Sequence, residues 1–138
     1  MVQKVILIVG LPGSGKTQLG NKLIEEIEDS VFFDSVTNNT EMEQIGNACR
    51  KYNTVIMASP YLCVDSARYR TSKFFKQINK KVRITWRFFD YNVSACIQNC
   101  PTQKREILEV AEHYTIPPKA KKLKVEQYEE EEEGTEES

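Results

Sequence analysis

The sequence predicts an α/β domain built on a mostly parallel sheet with helices on both faces. Three observations predict it. Runs of apolar, mostly β-branched residues occur at 5–9 and 54–58, too uniformly apolar for strands with one wet face. Segments with helical spacing of apolar residues alternate with the strand-like runs. Turn and capping residues punctuate the joins, as at 37–40 and at Ser59-Pro60.

Each element follows in order. Val5-Ile6-Leu7-Ile8-Val9 is the first buried strand. Leu19, Leu23, Ile24 and Ile27 place a helix over 15–27. Val31-Phe32-Phe33 is a short strand ending at Asp34. The cluster Thr37-Asn38-Asn39-Thr40 caps a helix expected over about 41–52. Thr54-Val55-Ile56-Met57-Ala58 is a third strand, stopped by Ser59-Pro60. A polar, basic helix over 65–79 turns Phe74, Phe75 and Ile78 inward. Over 82–89, Val82, Ile84, Trp86 and Phe88 alternate with Arg83, Thr85 and Arg87, so the aromatic pair reads as strand core. Two helices, 92–100 and 103–114, break at Pro101, and Ile116-Pro117-Pro118 ends the second. Leu123-Lys124-Val125 is expected as a last short edge strand.

Length and charge bound the function. With 138 residues the chain holds one domain, expected over 1–125. No apolar run approaches the roughly 20 residues of a membrane span, and the opening stretch is too short for a secretory signal. Cys49, Cys63, Cys96 and Cys100 include no Cys-x-x-Cys pair, which fits reduced thiols and a cytoplasmic protein, in the host cytoplasm if viral. Eight of the 20 acidic residues lie in 126–138, leaving 12 against 19 basic residues elsewhere. A basic body therefore carries an acidic tail with too little apolar surface to fold, expected to be disordered. Lys119, Lys121, Lys122 and Lys124 precede it. The tail reads as a solubilising segment, or as one that competes with a polyanionic ligand for the basic face.

The most informative motif is Gly10-Leu11-Pro12-Gly13-Ser14-Gly15-Lys16-Thr17, which fits G-x-x-x-x-G-K-[ST] between a buried strand and a helix. Chance produces such a match on the order of once in 200 chains of this length. The glycines let successive N–H groups turn inward as an anion nest, and the helix start adds the positive end of its dipole. Lys16 is placed to reach the β- and γ-phosphates, and the Thr17 hydroxyl to ligate Mg²⁺. Asp34, at the end of the second strand, carries a carboxylate of the kind that can accept a proton from an attacking hydroxyl or bind Mg²⁺ through water. No Asn-Lys-x-Asp motif marks a small GTPase, and the third strand ends in Ser59 rather than the carboxylate of a motor ATPase.

On these residues the chain resembles the small P-loop kinase-like NTPases, the group of polynucleotide kinase, nucleotide and gluconate kinases and zeta toxins. Ser59-Pro60-Tyr61-Leu62-Cys63, then Trp86-Arg87-Phe88-Phe89-Asp90 with Cys96 and Asn99, and the closing Tyr114-x-Ile116-Pro117, look similar to short kinase-like proteins of phages and large viruses. The resemblance spans roughly 4–125. It implies a three-layer α/β/α domain of P-loop NTPase fold that binds ATP with Mg²⁺. Ser59 departs from the pattern, since many relatives carry an Asp there that helps hold the metal. A reduced lid belongs at about 92–114, with Arg105 the candidate for cancelling phosphoryl charge.

Arg68 and Arg70, on the helix after the third strand, are candidates for a substrate phosphate, against the plainer reading of a solvated face. Cys96 and Cys100 share a helix face but lack further metal ligands, and the single histidine, His113, reads as a surface residue. The expected function is transfer of the γ-phosphate of ATP to a nucleoside, nucleotide or polynucleotide acceptor. The alternatives are a nucleotide-binding regulatory module weakened at Ser59, and a nucleic-acid-binding protein gated by its tail. Oligomeric state is not legible.

Overall fold

The computed structural model describes residues 1–127. Five strands, β1 (Lys4–Val9), β2 (Ser30–Phe33), β3 (Thr54–Ala58), β4 (Arg83–Phe89) and β5 (Lys122–Leu123), form one sheet in the order β2-β3-β1-β4-β5. Every pairing is parallel. Five α-helices join them: α1 (Lys16–Glu26), α2 (Asn39–Ala48), α3 (Asp65–Ile78), α4 (Val93–Asn99) and α5 (Lys104–Ala111). Short 3₁₀ turns occupy Pro60–Cys63 and Pro101–Gln103.

The core follows from the sequence pattern. Central β1 pairs with β3 on one side and β4 on the other, and its residues from Val5 to Val9 are fully buried. Strands enclosed on both faces and both edges need continuous apolar sequence, which β1 and β3 have. The chain leaves β1 toward the β2 edge and leaves β3 toward the β5 edge. Right-handed crossovers then place α1 on one face and α2, α3 and the α4–α5 pair on the other, the arrangement of a three-layer sandwich. Reversal of direction between β1 and β3 opens a crevice at their carboxyl ends, where α/β sheets bind ligands.

Several boundaries moved. α2 starts two residues earlier than expected, because Asn38 is the cap: its side chain accepts from the Glu41 N–H at 2.9 Å. It stops at Ala48 rather than near 52, where Lys51 and Tyr52 donate to the Ala48 carbonyl and tighten the end. α5 ends at Ala111 and β5 covers only Lys122–Leu123. Trp86 and Phe88 stack at 6.0 Å, with Phe88 buried and Trp86 half-buried. His113 is exposed. The expected tail over 126–138 lies outside the described residues except for Glu126 and Gln127.

Candidate functional site

The glycine loop leaves β1 at the crevice. Gly13 and Gly15 have φ of +83° and +112°, left-handed values that ordinary side chains avoid. A Cβ at Gly13 would stand 2.6 Å from the Cys96 carbonyl oxygen on α4. Glycine is thus required there both by the turn and by the helix packed against it. The Ser14 N–H closes a turn onto the Leu11 carbonyl at 3.0 Å. Beyond Gly15 the first N–H groups of α1 have no intrahelical acceptors and carry the positive end of the helix dipole.

Lys16 curls back over this loop. Its Nζ donates to the carbonyls of Gly10 at 2.9 Å and Leu11 at 3.0 Å. Burial lowers its pKa below the ordinary value of 10.5, while the neighbouring Cys63, Asp34, Cys96 and Glu106 oppose that shift. The Cys63 thiol, pushed up to about 11 by burial, stays protonated and donates to the Gly10 carbonyl at 3.4 Å. The Cys96 thiol is likewise raised to about 11 by burial.

Opposite the helix start, Thr17 Oγ1 donates to Asp34 Oδ2 at 2.6 Å. Asp34 follows β2 directly, and the next residue, Ser35, has φ of +54°. Val36 N–H then bonds the Ala58 carbonyl at 3.0 Å, which docks the exit of β2 on β3. Ser59 completes the brace. Its buried hydroxyl donates to the Val36 carbonyl at 2.6 Å and accepts from the Tyr61 N–H at 3.2 Å. A serine at this strand end therefore fixes the segment that carries Asp34.

Three cavities lie at this end of the sheet, two of them lined by the loop. One of about 290 Å³ is lined by Gly13, Lys16, Thr17, Asp34, Cys100 and Glu106 among others. A second, of about 440 Å³, shares Thr37 with the first and runs between α2 and α3, past Met42, Met57, Tyr61, Arg70 and Phe74. A third, of about 540 Å³, lies on the other side of the helix start, against Gln18, Phe89, Leu123 and Gln127. Ser14 also lines it, and the buried Ser14 Oγ has no hydrogen-bond partner.

The site residues expected from sequence are thus divided. The loop, Lys16, Thr17 and Asp34 converge on one cavity. Arg70 is exposed and lines the second. Arg105 is exposed on α5, whose residue Glu106 lines the first cavity in its place. Arg68 corrects the expectation of a phosphate-facing or solvated arginine. It is buried, donates to the Leu62 carbonyl at 2.8 Å and Thr115 Oγ1 at 2.9 Å, pairs with Asp65, and lies 5.2 Å from the centre of the Phe88 ring. Its guanidinium is spent on joining α3 to the segment after α5. Nothing local in the sequence signals this, because Thr115 is 47 residues away. Among the described residues no cluster of three or more His, Cys, Asp or Glu side chains is placed to hold a metal, and no helix is long and apolar enough to cross a membrane.

No family model matches the chain. It is 28% identical over 123 residues to the uncharacterized protein R277 of Acanthamoeba polyphaga mimivirus, covering 83% of this chain and 86% of that one. A crystal structure of APE1195 superposes with a TM-score of 0.61 at 17% identity, over 91% of this chain and 86% of that one. A chain in the structure of the Pnkp1/Rnl/Hen1 RNA repair complex gives 0.55 at 17% identity, over 81% of this chain and 44% of that one. The present chain thus spans less than half of the repair-complex chain. What these structures share with it is the fold.

Proposed function

We propose that the chain is a small phosphotransferase that binds ATP with Mg²⁺ on the glycine loop and transfers the γ-phosphate to a hydroxyl or phosphate of a nucleoside, nucleotide or polynucleotide. The observation that carries this reading is the 2.6 Å contact between Thr17 Oγ1 and Asp34 Oδ2 beside Lys16, at the start of α1 and the switch point of the sheet. The fold shared with a chain of an RNA repair complex supports it.

The residues fit ATP with Mg²⁺. Thr17 and Asp34 offer two hard oxygen donors, too few to enclose a cation alone and suited to Mg²⁺, which keeps waters and phosphate oxygens as ligands. The Lys16 ammonium already rests on carbonyl oxygens of the loop, so an anion there gives it a stronger partner. ATP would supply the phosphoryl group, and Mg²⁺ would draw charge from it. The chain does the rest. The first N–H groups of α1 hold phosphate oxygens, Lys16 offsets their charge, and Thr17 fixes the carboxylate of Asp34. The free carboxylate lone pairs of Asp34 accept the proton of an acceptor hydroxyl entering through the cavity that joins at Thr37.

One observation favours the second reading, a nucleotide-binding regulatory module. Glu106 rather than a cation faces the loop from α5, so charge cancellation by a lid arginine requires movement of that helix. The test is transfer from γ-labelled ATP with Mg²⁺ to pooled nucleosides, nucleoside monophosphates and a 5′-hydroxyl oligonucleotide. Label on one pool, lost in Lys16→Ala, supports the phosphotransferase. Lys16-dependent ATP binding without label on any pool supports the module.

A further inference from the structure

We propose that Asn99 is a positioning residue that ties the glycine loop to the wall of the neighbouring cavity, so that loop and wall hold one geometry. This rests on the reading of the loop as a nucleotide site. Asn99 ends α4, and the two hydrogens of its side-chain amide go to two different segments. One meets the Gly13 carbonyl at 2.9 Å, 86 residues back in the chain. The other meets the Glu126 carbonyl at 2.8 Å. The adjacent residue repeats the contact, with Gln127 Nε2 donating to Gln98 Oε1 at 2.6 Å. Two consecutive residues of α4 therefore hold two consecutive residues of the C-terminal segment.

The held segment has a job in the geometry. Glu126 and Gln127 line the third cavity together with Ser14, Gly15 and Gln18 of the loop and helix start. That cavity opens directly off the loop and is lined by Ser14, whose buried Oγ has no hydrogen-bond partner and lies against Gly10. The Gly13 carbonyl, held outward by Asn99, fixes the peptide that follows it, whose N–H points to Leu11. Beyond the phosphates, a ligand reaching into this cavity touches a wall whose position depends on Asn99. A bare polyphosphate uses the loop alone. The amide thus contributes most to the part of the nucleotide beyond its phosphate chain.

The experiment compares ATP with inorganic tripolyphosphate, both with Mg²⁺, by calorimetric titration of the full chain. Asn99→Leu keeps the volume and removes both donors without placing a charge beside the anion loop, so it tests the hydrogen bonds rather than packing or charge. The expected result is about tenfold weaker ATP binding and a change of no more than about threefold for tripolyphosphate, the weight of one or two lost hydrogen bonds. Gln127→Ala, which leaves the loop untouched, shifts the same ratio in the same direction by less. An unchanged ATP-to-tripolyphosphate ratio in both variants overturns the proposal. Amide hydrogen exchange without ligand separates it from the nucleotide reading. Asn99→Leu speeds exchange both in 10–15 and in 124–127 while α2 and α3 keep their protection. Loosening of neither segment, or of one alone, refutes the tie even if no nucleotide binds.

Discussion

Replacing Gly13 by alanine isolates what the loop geometry is for. The residue sits at φ of +83°, and its new Cβ would lie 2.6 Å from the Cys96 carbonyl oxygen and 3.4 Å from Cys100 Sγ. The left-handed backbone alone costs an L-residue about 1–2 kcal/mol. The backbone contact cannot be relieved by a rotamer, so α4 must move, at about 1–3 kcal/mol for an overpacked contact. Together these give about 2–5 kcal/mol, a large share of the roughly 5–15 kcal/mol that stabilises a domain of this size. Melting temperature should fall by roughly 6–20 °C. ATP affinity should fall as well, since α4 carries Asn99 and is followed directly by Cys100 at the site. Gly15→Ala is the internal comparison, with φ of +112° but no neighbour nearer than 3.5 Å, so strain acts there with no clash. Thermal unfolding of the two variants beside the wild type is the assay. A Gly13→Ala protein that melts within about 2 °C of wild type, or no lower than Gly15→Ala, would refute the reasoning.

Three more outcomes follow from the site. The lowered Lys16 pKa makes ATP affinity fall as pH rises through that lowered value, before the ordinary 10.5, because the anion needs the ammonium. Without ligand the sign reverses: stability rises over the interval between the lowered value and 10.5, where the unfolded chain binds more protons. Titrations from pH 6 to 11 check both, and an affinity that begins to fall only above 10.5 contradicts the lowered value. Arg68→Ala should cost about 2–4 kcal/mol by stranding the Leu62 carbonyl and its partners, with ATP affinity intact, whereas Arg70→Ala should leave stability within about 0.5 kcal/mol and weaken acceptor use. Denaturant unfolding with acceptor kinetics separates the two. Glu106→Gln removes a negative charge facing the loop and should tighten ATP binding by roughly 2–10-fold at low salt; weaker binding would assign that carboxylate a part in holding the cation.

Much of the sheet was legible because burial on both faces leaves a plain record. The apolar runs in β1 and β3, and the alternation in β4, are dictated by each strand's surroundings. The loop was legible because only glycine tolerates the angles at 13 and 15. Asp34 follows β2 as the strand pattern implies, and its bond to Thr17 spans only 17 residues. Other parts were hidden. The role of Ser59 looked like a missing charge and is a brace between strand exits, visible only when Val36 is beside it. Arg68 looked like a surface arginine, since its partner Thr115 arrives from the far end of the chain. Asn99 entered the sequence reading only through a resemblance and carried no assigned role, because Gly13 and Glu126 meet it only through the fold. Glu106 displaced Arg105 at the cavity by one residue, about 100° of helix rotation, which periodicity read from a broken helix pair does not fix.

The most direct test of the central claim is a single-turnover measurement of γ-phosphate transfer by wild type and Asp34→Asn, with ATP affinity measured on the same samples. The Thr17–Asp34 geometry predicts transfer by wild type, a loss of about 100-fold or more in the variant, and ATP affinity unchanged within a few-fold. Equal transfer by the two proteins, or loss of ATP binding together with transfer, would contradict a catalytic role for Asp34.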